Sequence, residues 1–237
     1  MKHLAIPFFL ALSTGSAAAQ QVQGTAQTNS HIYGDGFGAR VREIPYTPGE
    51  TQGSYFLFDH WSPGTITMSN GEKVSDMFLK YNFNTRELEI KTDTAYLSMS
   101  VNDTDQFSIY DDAQRKFRNF VAARRYKLDG TPLVGALEIL YQGKIELVAK
   151  VAPKLIEANY QGALSGGSTN DKIVKKKVYF LVVSDNELIA LPTKKKQAIE
   201  VLQHLDPQIK KYLKKEKLRL KQEEDLVLLA EHLSNQK

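Results

Sequence analysis

Residues 137–151 (LEILYQGKIELVAKV) and 173–184 (IVKKKVYFLVVS) decide the predicted fold of this 237-residue chain. The first stretch is the core of a longer apolar run, 134–151, with Gly143 as a predicted bend. The first run is long and apolar, and the second is rich in β-branched and aromatic residues, which favours strands. Residues 162–171 between them are rich in Gly, Ser, Thr and Asn, so we expect a mobile loop there. The two runs are predicted to form the last hairpin of an antiparallel sheet.

Shorter β-prone segments separated by turn residues precede these runs. Asn70-Gly71 predicts a type I′ hairpin turn, because both residues tolerate positive φ angles. A further short return strand is predicted at 187–191, after a tight turn at 185–186. The remaining predicted strands are 39–44, 55–58, 65–68, 77–83, 87–91, 95–101, 106–110 and 116–124, where the last segment fits a strand better than the alternative helix.

After Pro192 the apolar period changes from 2 to 3.6, which indicates helices. Thr193 is a predicted cap of the first helix, and Asp206-Pro207 a predicted start of the second. Acids at 223–225 suit the first turn of the third helix. The apolar faces are predicted at Ala198, Val201, Leu202 and Leu205, then Ile209, Tyr212 and Leu213, then Leu226, Leu229, Ala230 and Leu233. The sequence therefore predicts an α+β fold: a mainly antiparallel sheet, either a meander or a partly closed barrel, with three short C-terminal helices.

The first nineteen residues have the order of a secretory signal peptide. Lys2 and His3 precede an apolar stretch at 4–12, and small residues lead to Ala17-Ala18-Ala19. The stretch is too short to span a bilayer, which needs roughly 20 residues. We predict cleavage after Ala19 and export, to the periplasm or the exterior, with association to the outer membrane through a partner as a further possibility.

The predicted organisation follows from these boundaries. Residues 1–19 form the signal peptide, 20–52 a flexible or irregular segment, 53–192 the antiparallel domain, and 193–237 the helical segment packed on the sheet. The chain has no Cys, so it holds no disulfide and no lipidated cysteine. No later apolar run is long enough to cross a membrane, so no transmembrane segment is predicted in the mature chain.

Positive charge is concentrated at the C-terminal end. Residues 193–237 carry 11 Lys and Arg against 7 Asp and Glu, whereas residues 20–192 carry 19 against 20. Within the second predicted helix, Lys210, Lys211, Lys214 and Lys215 are expected to face away from the core. A solvated helix surface explains such a face, and contact with an anionic partner is the functional alternative. Nucleic acid is not an expected partner of an exported protein.

Catalytic and metal-binding motifs are not found in the sequence. Of the five His, His3 lies in the predicted signal peptide and His31 in the irregular segment, and none of the other three has a second His or carboxylate at ligand spacing. The acids near Asn102–Asp105 depart from the calcium-loop pattern, because Phe107 stands where a third oxygen ligand is needed. We predict no cofactor, no metal site and no catalytic residue, although carboxylates distant in sequence can still meet in the fold.

Aromatic side chains cluster at Tyr55, Phe56, Phe58 and Trp61. A strand at 55–58 has apolar residues on both faces, so one face can exceed what the core needs. Core packing is the commoner role of such residues, and a binding surface is the alternative. These four side chains, with the four lysines of the second helix, are the candidate binding residues.

Several short motifs resemble those of an uncharacterised family of exported Bacteroidetes proteins with a β-rich domain and Lys-rich C-terminal helices. They are GSYFL at 53–57, Trp61-x-x-Gly64-x-Ile66, Leu79-x-Tyr81-Asn82, ELE at 87–89, GKIEL at 143–147, and the Lys-rich segment 210–221 leading to Asp225-Leu226. The resemblance covers most of residues 53–233. It implies export and this layout, and it implies no activity.

Three functions are compatible with these observations. The first is a non-enzymatic, envelope-associated binding or assembly protein, whose partner is an envelope protein, an anionic glycan or a lipid head group. The second is an exported hydrolase of glycan or lipid that uses two carboxylates from distant strands. The third is a carrier with a dry cavity for an apolar ligand between sheet and helices. The lack of a catalytic or metal-binding motif in the sequence favours the first.

Overall fold

The structure is a computed structural model that describes residues 51–93, 96–158, 170–184 and 186–236. All of these belong to one compact unit, Pro48–Lys237. The predicted signal peptide, the strand at 39–44, residues 20–50 of the irregular segment and residues 162–169 of the predicted loop lie outside the described residues. These expectations therefore stay predictions.

An open antiparallel sheet of ten strands forms the body of the unit, which confirms the predicted α+β class. The strand order is β12-β11-β10-β9-β6-β5-β1-β2-β3-β4, and β7 and β8 form a separate small ribbon. The strands are β1 (Ser62–Met68), β2 (Lys73–Asn82), β3 (Glu87–Lys91), β4 (Tyr96–Ser100), β5 (Thr104–Asp111), β6 (Lys116–Ala122), β7 (Lys127–Leu128), β8 (Thr131–Pro132), β9 (Ala136–Tyr141), β10 (Glu146–Ile156), β11 (Lys172–Val182) and β12 (Leu188–Ala190).

The two faces of this sheet differ because successive residues of a strand point to opposite sides. The core face carries buried side chains such as Leu79, Phe107 and Phe120. On the opposite face, β9–β11 are covered by residues of the 123–133 segment, with Val148 and Phe180 packed near Tyr126. We call the remainder of that opposite face, on β1–β6, the open face.

Three features of the strand connections differ from the sequence prediction. β5 pairs with β1 and not with β4, so the sheet is not a simple meander. Gly143 lies in the connection of a β9–β10 hairpin, so the run 134–151 folds back on itself where a bend was predicted. The turn after β1 is not type I′, because only Gly71 has a positive φ, +86°. Gly71 N donates to Met68 O (2.9 Å), and Asn70 Oδ1 accepts from Glu72 N (2.9 Å), so a different turn is stabilised.

Residues 52–57 form a strap across the core face. Gln52 N donates to Asp171 O (2.7 Å) beside β11, and Leu57 N donates to Tyr81 O (2.8 Å) on β2. In a flat sheet β11 and β2 would lie about 29 Å apart. The five residues from Gln52 to Leu57 span at most about 18 Å. The sheet must therefore curve around its core face. The predicted strand at 55–58 is wrong: the strap is irregular, with two isolated bridges, from Gln52 to Lys172 and from Phe56 to Asn82.

Three helices follow the sheet, as predicted: α1 (Lys195–Leu202), α2 (Ile209–Lys215) and α3 (Glu223–Ser234). Their buried residues form one cluster with Leu147 and Leu181, which seats them on the core face of β10 and β11. The cap predicted at Thr193 is wrong, because α1 begins after Lys194 and no side chain caps it. The cap predicted at Asp206 is wrong too, because α2 begins after Gln208 and no side chain caps it; Asp206 Oδ1 instead accepts from Gln208 N (2.7 Å) in the turn before the helix.

Candidate binding surface

The structure separates the four aromatic residues predicted as one cluster. Phe58 packs against the sheet core, with its ring 5.5 Å from His60 and 5.8 Å from the Arg118 guanidinium. Phe56 and Trp61 instead share one ammonium group: Lys80 Nζ lies 4.2 Å and 5.7 Å from their ring centres. Tyr55 is half-buried in the strap, where its carbonyl accepts from Phe83 N (2.9 Å).

A row of aromatic side chains that the sequence analysis missed crosses the open face. Cross-strand register aligns Tyr96 with Lys91, and Lys91 with Phe78. Phe78 faces Pro63. Because Gly64 pairs with Ile109, Pro63 comes next to Tyr110, which in turn pairs with Phe117. We call Tyr96, Phe78, Tyr110 and Phe117 the aromatic row.

Three members of the aromatic row are strongly exposed. The exposed fractions are 71% for Tyr96, 45% for Phe78 and 50% for Phe117. Tyr110 and Phe117 meet edge to face with ring centres 5.2 Å apart, and Trp61 lies 5.9 Å from Tyr96 at the other end. Exposed apolar side chains that lie close together are typical of interaction surfaces, whereas single scattered ones need no explanation.

A polar groove of about 300 Å³ lies beside the aromatic row on the same face. Side-chain hydroxyl and amide groups line it, chiefly Thr65, Gln106, Ser108 and Asn119, together with the Lys73 ammonium. Lys80 and Lys91 add two cations next to the rings, and Lys91 Nζ lies 5.7 Å from the Tyr96 ring centre. Glu87 and Glu89 are the acids of the same face, on β3. The open face thus combines aromatic rings, neutral polar groups and lysines.

The four lysines predicted on α2 form a different surface. Lys210, Lys211, Lys214 and Lys215 are all exposed, while Ile209 and Leu213 on the other side of α2 are fully buried. The helices lie on the core face of the sheet, and the aromatic row lies on the opposite face. Phe56 and Trp61 contact Lys80 on the side of the sheet opposite the helices, so the structure does not bring these two predicted rings to the lysines of α2.

A buried charge network occupies the core face between the sheet and α3. Arg118 donates two hydrogen bonds to Glu138, from Nε (2.6 Å) and Nη2 (2.7 Å). Lys177 Nζ then bridges Glu138 (3.0 Å) and Glu223 of α3 (2.6 Å), and Asp111 lies 3.8 Å from Arg118. Nothing in the sequence spacing indicated this cluster, because its members come from four strands and a helix.

Glu138 and Glu223 are the two carboxylates that the hydrolase hypothesis needs, beside a cleft of about 280 Å³. A general acid needs a pKa raised towards neutrality. Burial acts in that direction on Glu138, but hydrogen bonds and charge from Arg118 and Lys177 outweigh it and hold the pKa of Glu138 below its ordinary value. This arrangement suits a structural link between sheet and helix better than acid catalysis.

Two His–carboxylate pairs form between residues distant in sequence. His60 Nε2 lies 3.0 Å from Asp112 on the surface, and His232 Nε2 lies 3.0 Å from the buried Asp206. The His232 ring also stacks on Tyr212 at 3.5 Å, which joins α3 to α2. Within the described ranges no three His, Asp or Glu side chains come together as a metal site.

Comparison with protein-family models, curated proteins and solved structures finds no match to this chain. The resemblance to exported Bacteroidetes proteins therefore stays a prediction. In the part of the chain that the structure describes, no helix has the length and apolar character to cross a membrane.

Proposed function

We propose that this protein is a non-enzymatic binding protein of the cell envelope, and that the open face binds an acidic glycan chain. The observation that carries the proposal is the exposed aromatic row beside a polar, lysine-bearing groove. A glycan chain presents apolar C–H faces to aromatic rings and hydroxyl groups to amide and hydroxyl side chains. Acidic groups on the chain complement Lys73, Lys80 and Lys91.

The dimensions of the row favour an extended ligand. Neighbouring strands are about 4.8 Å apart, so Tyr96, Phe78 and Tyr110, on every second strand, repeat at about 10 Å. Such a line contacts a polymer at several points and offers a small molecule only one ring at a time.

The extracytoplasmic location rests on residues 2–19, whose basic, apolar and small-residue order supports export. Envelope glycans are polymers that an exported protein meets there. Mass spectrometry of the native protein is expected to find an N-terminus at Gln20. An intact leader on protein recovered from the cytoplasm would contradict the location.

The experiment titrates the protein with a soluble polyuronate, such as alginate, and with neutral dextran by calorimetry. We expect binding to the polyuronate and weaker binding to dextran. Tyr96→Ala and Phe78→Ala should each weaken the polyuronate affinity between about twofold and tenfold, the worth of one stacked aromatic contact. Leu97→Ala is the matched control, because Leu97 is exposed on the same strand but on the other face.

Three results would overturn the proposal. One is the absence of glycan binding by the folded wild-type protein. Another is glycan binding that Tyr96→Ala and Phe78→Ala leave unchanged. The last is tight binding to an oligo-dT strand with none to glycans, since aromatic rings with lysines also bind single-stranded nucleic acid.

A further inference from the structure

Another pocket, of about 250 Å³, has a lining that shares no residue with the aromatic row. It is formed by the turn between β2 and β3, the segment that precedes β9, and the middle of β10. Its apolar wall includes Phe83, Val134 and Pro153, and its charged groups are Arg86 and Lys150. We call it the Arg86–Lys150 pocket.

The two cations of this pocket have no anionic partner among the described residues. Neither Arg86 nor Lys150 takes part in any of the ion pairs that involve the described Asp and Glu side chains. Lys150 is half-buried, and burial together with the nearby Arg86 guanidinium lowers the pKa of its ammonium group. Two like charges that face one small cavity repel each other unless an anion lies between them.

The backbone conformation of Arg86 is unfavourable for a residue with a side chain. Arg86 has a φ of +63°, a conformation that costs a non-glycine residue about 1–2 kcal/mol. Its N donates to Asn82 O (2.9 Å) and its carbonyl accepts from Val101 N (3.1 Å), so hydrogen bonds fix both backbone polar groups of Arg86. At Gly135 a Cβ would approach Arg86 Cγ to 3.3 Å, so the glycine leaves room for the arginine stem.

We propose that the Arg86–Lys150 pocket binds an oxyanion, a carboxylate or phosphate, carried on an apolar body. The planar guanidinium of Arg86 can donate two parallel hydrogen bonds to either oxyanion, and the Lys150 ammonium adds a second positive charge. Phe83, Val134 and Pro153 cover the apolar body, and Val134 is 48% exposed at the pocket. The volume accepts a small amphiphilic acid or one lipid head group and not a large ligand.

The test measures the thermal midpoint and binding isotherms of the full-length mature protein with decanoate, octyl phosphate, inorganic phosphate, and vesicles of phosphatidylglycerol or phosphatidylcholine. We expect octyl phosphate or decanoate to raise the midpoint more than inorganic phosphate does. Binding to phosphatidylglycerol vesicles without binding to the free acids identifies a lipid head group as the source of the oxyanion. The reverse result identifies a free amphiphilic acid.

Substitutions separate this site from a general effect of charge. Arg86→Gln and Lys150→Gln should each weaken binding at least about tenfold, the worth of a charged hydrogen bond. Lys150→Gln should also leave the midpoint of the free protein unchanged or higher, because it removes a like-charge contact. Arg86→Lys keeps the positive charge and should retain part of the affinity. It replaces Arg86→Gln as the test if Arg86→Gln does not fold. Lys154→Gln is the matched control, an exposed lysine of the same strand.

Equal binding by the wild-type protein and both glutamine variants would overturn the proposal, as would the absence of binding to every probe. The pocket is independent of the aromatic row, so Tyr96→Ala should leave decanoate and octyl phosphate binding unchanged.

Discussion

Two buried hydroxyl groups on neighbouring strands differ in their hydrogen bonding. Thr104 Oγ1, at the start of β5, donates to Val101 O (2.8 Å) and so closes the short helical turn before the strand. Ser62 Oγ, at the start of β1, is fully buried and has no hydrogen-bond partner among the described residues. An unpaired buried hydroxyl costs free energy that a paired one does not.

This difference predicts opposite effects on stability. Ser62→Ala removes an unpaired polar atom, so the free energy of unfolding should stay the same or rise. Thr104→Val keeps the shape but removes the side-chain donor to Val101 O, which still accepts from Thr104 N, so the same quantity should fall by about 0.5–1.5 kcal/mol. Urea denaturation of both variants at neutral pH measures the difference. A marked loss of stability in Ser62→Ala would show that its hydroxyl has a partner.

At the scale of the element, β1 packs closely between β2 and β5 because it contains a glycine. A Cβ at Gly64 would lie 2.7 Å from Ser108 O and 2.8 Å from Leu79 Cγ, which no real Cβ tolerates. Gly71, in the turn after β1, has nothing within 4 Å of a Cβ but has a φ of +86°. The first glycine is required for space, and the second for backbone conformation.

Substitution of each glycine by alanine separates the two requirements. Gly64→Ala should lower the free energy of unfolding by about 1–3 kcal/mol or more, since β1 must move away from its neighbours. Gly71→Ala should cost only about 1–2 kcal/mol, the penalty of a left-handed conformation. Urea denaturation compares them, with backbone amide exchange in β1 expected to increase for Gly64→Ala alone. Unchanged exchange in that variant would contradict the close approach.

At the scale of the whole molecule, one buried carboxylate joins the sheet to the helices. Glu138 is 5% exposed and binds Arg118 and Lys177, and Lys177 carries the link to Glu223 at the start of α3. Loss of one partner from a buried ion pair leaves an uncompensated charge, which costs about 3–5 kcal/mol. The orientation of α3 on the sheet therefore depends on the ionised form of Glu138.

This dependence predicts an acid-sensitive stability. Because the folded-state pKa of Glu138 is depressed, its stabilisation is fully present above the ordinary value of 4.5 and is lost as the pH falls through the lower folded-state pKa. Glu138→Gln should be much less stable than the wild type at neutral pH, and the difference should shrink in acid. Thermal unfolding between about pH 7 and pH 3 measures it.

The control for this experiment is Glu89→Gln, since Glu89 of β3 forms no ion pair with the described residues. The stability of this variant should differ little from that of the wild type at every pH. A constant difference between the wild type and Glu138→Gln across the range would mean that Glu138 is not ionised in the fold.

Local pattern was sufficient for the fold class. The alternation of β3, the buried stripe of α2 and the acids at the start of α3 were predicted from periods of 2 and 3.6, and the structure confirms them. These features depend on residues only a few positions apart in the sequence, so the sequence alone is enough to predict them. The predictions that failed, at Thr193, Asp206, Asn70 and the strap, concern ends and turns where tertiary contacts outweigh local preference.

The candidate sites come from the pairing of strands that are remote in the chain. Phe78 and Phe117 share a line only because β1 and β5 lie between their strands, and Arg86 meets Lys150 only because the curved sheet brings the β2–β3 turn to β10. A strand's alternation indicates which residues share its face and says nothing of which strand lies beside it. Neighbours are chosen by the packing of the whole core, so these surfaces could not be read from the residues alone.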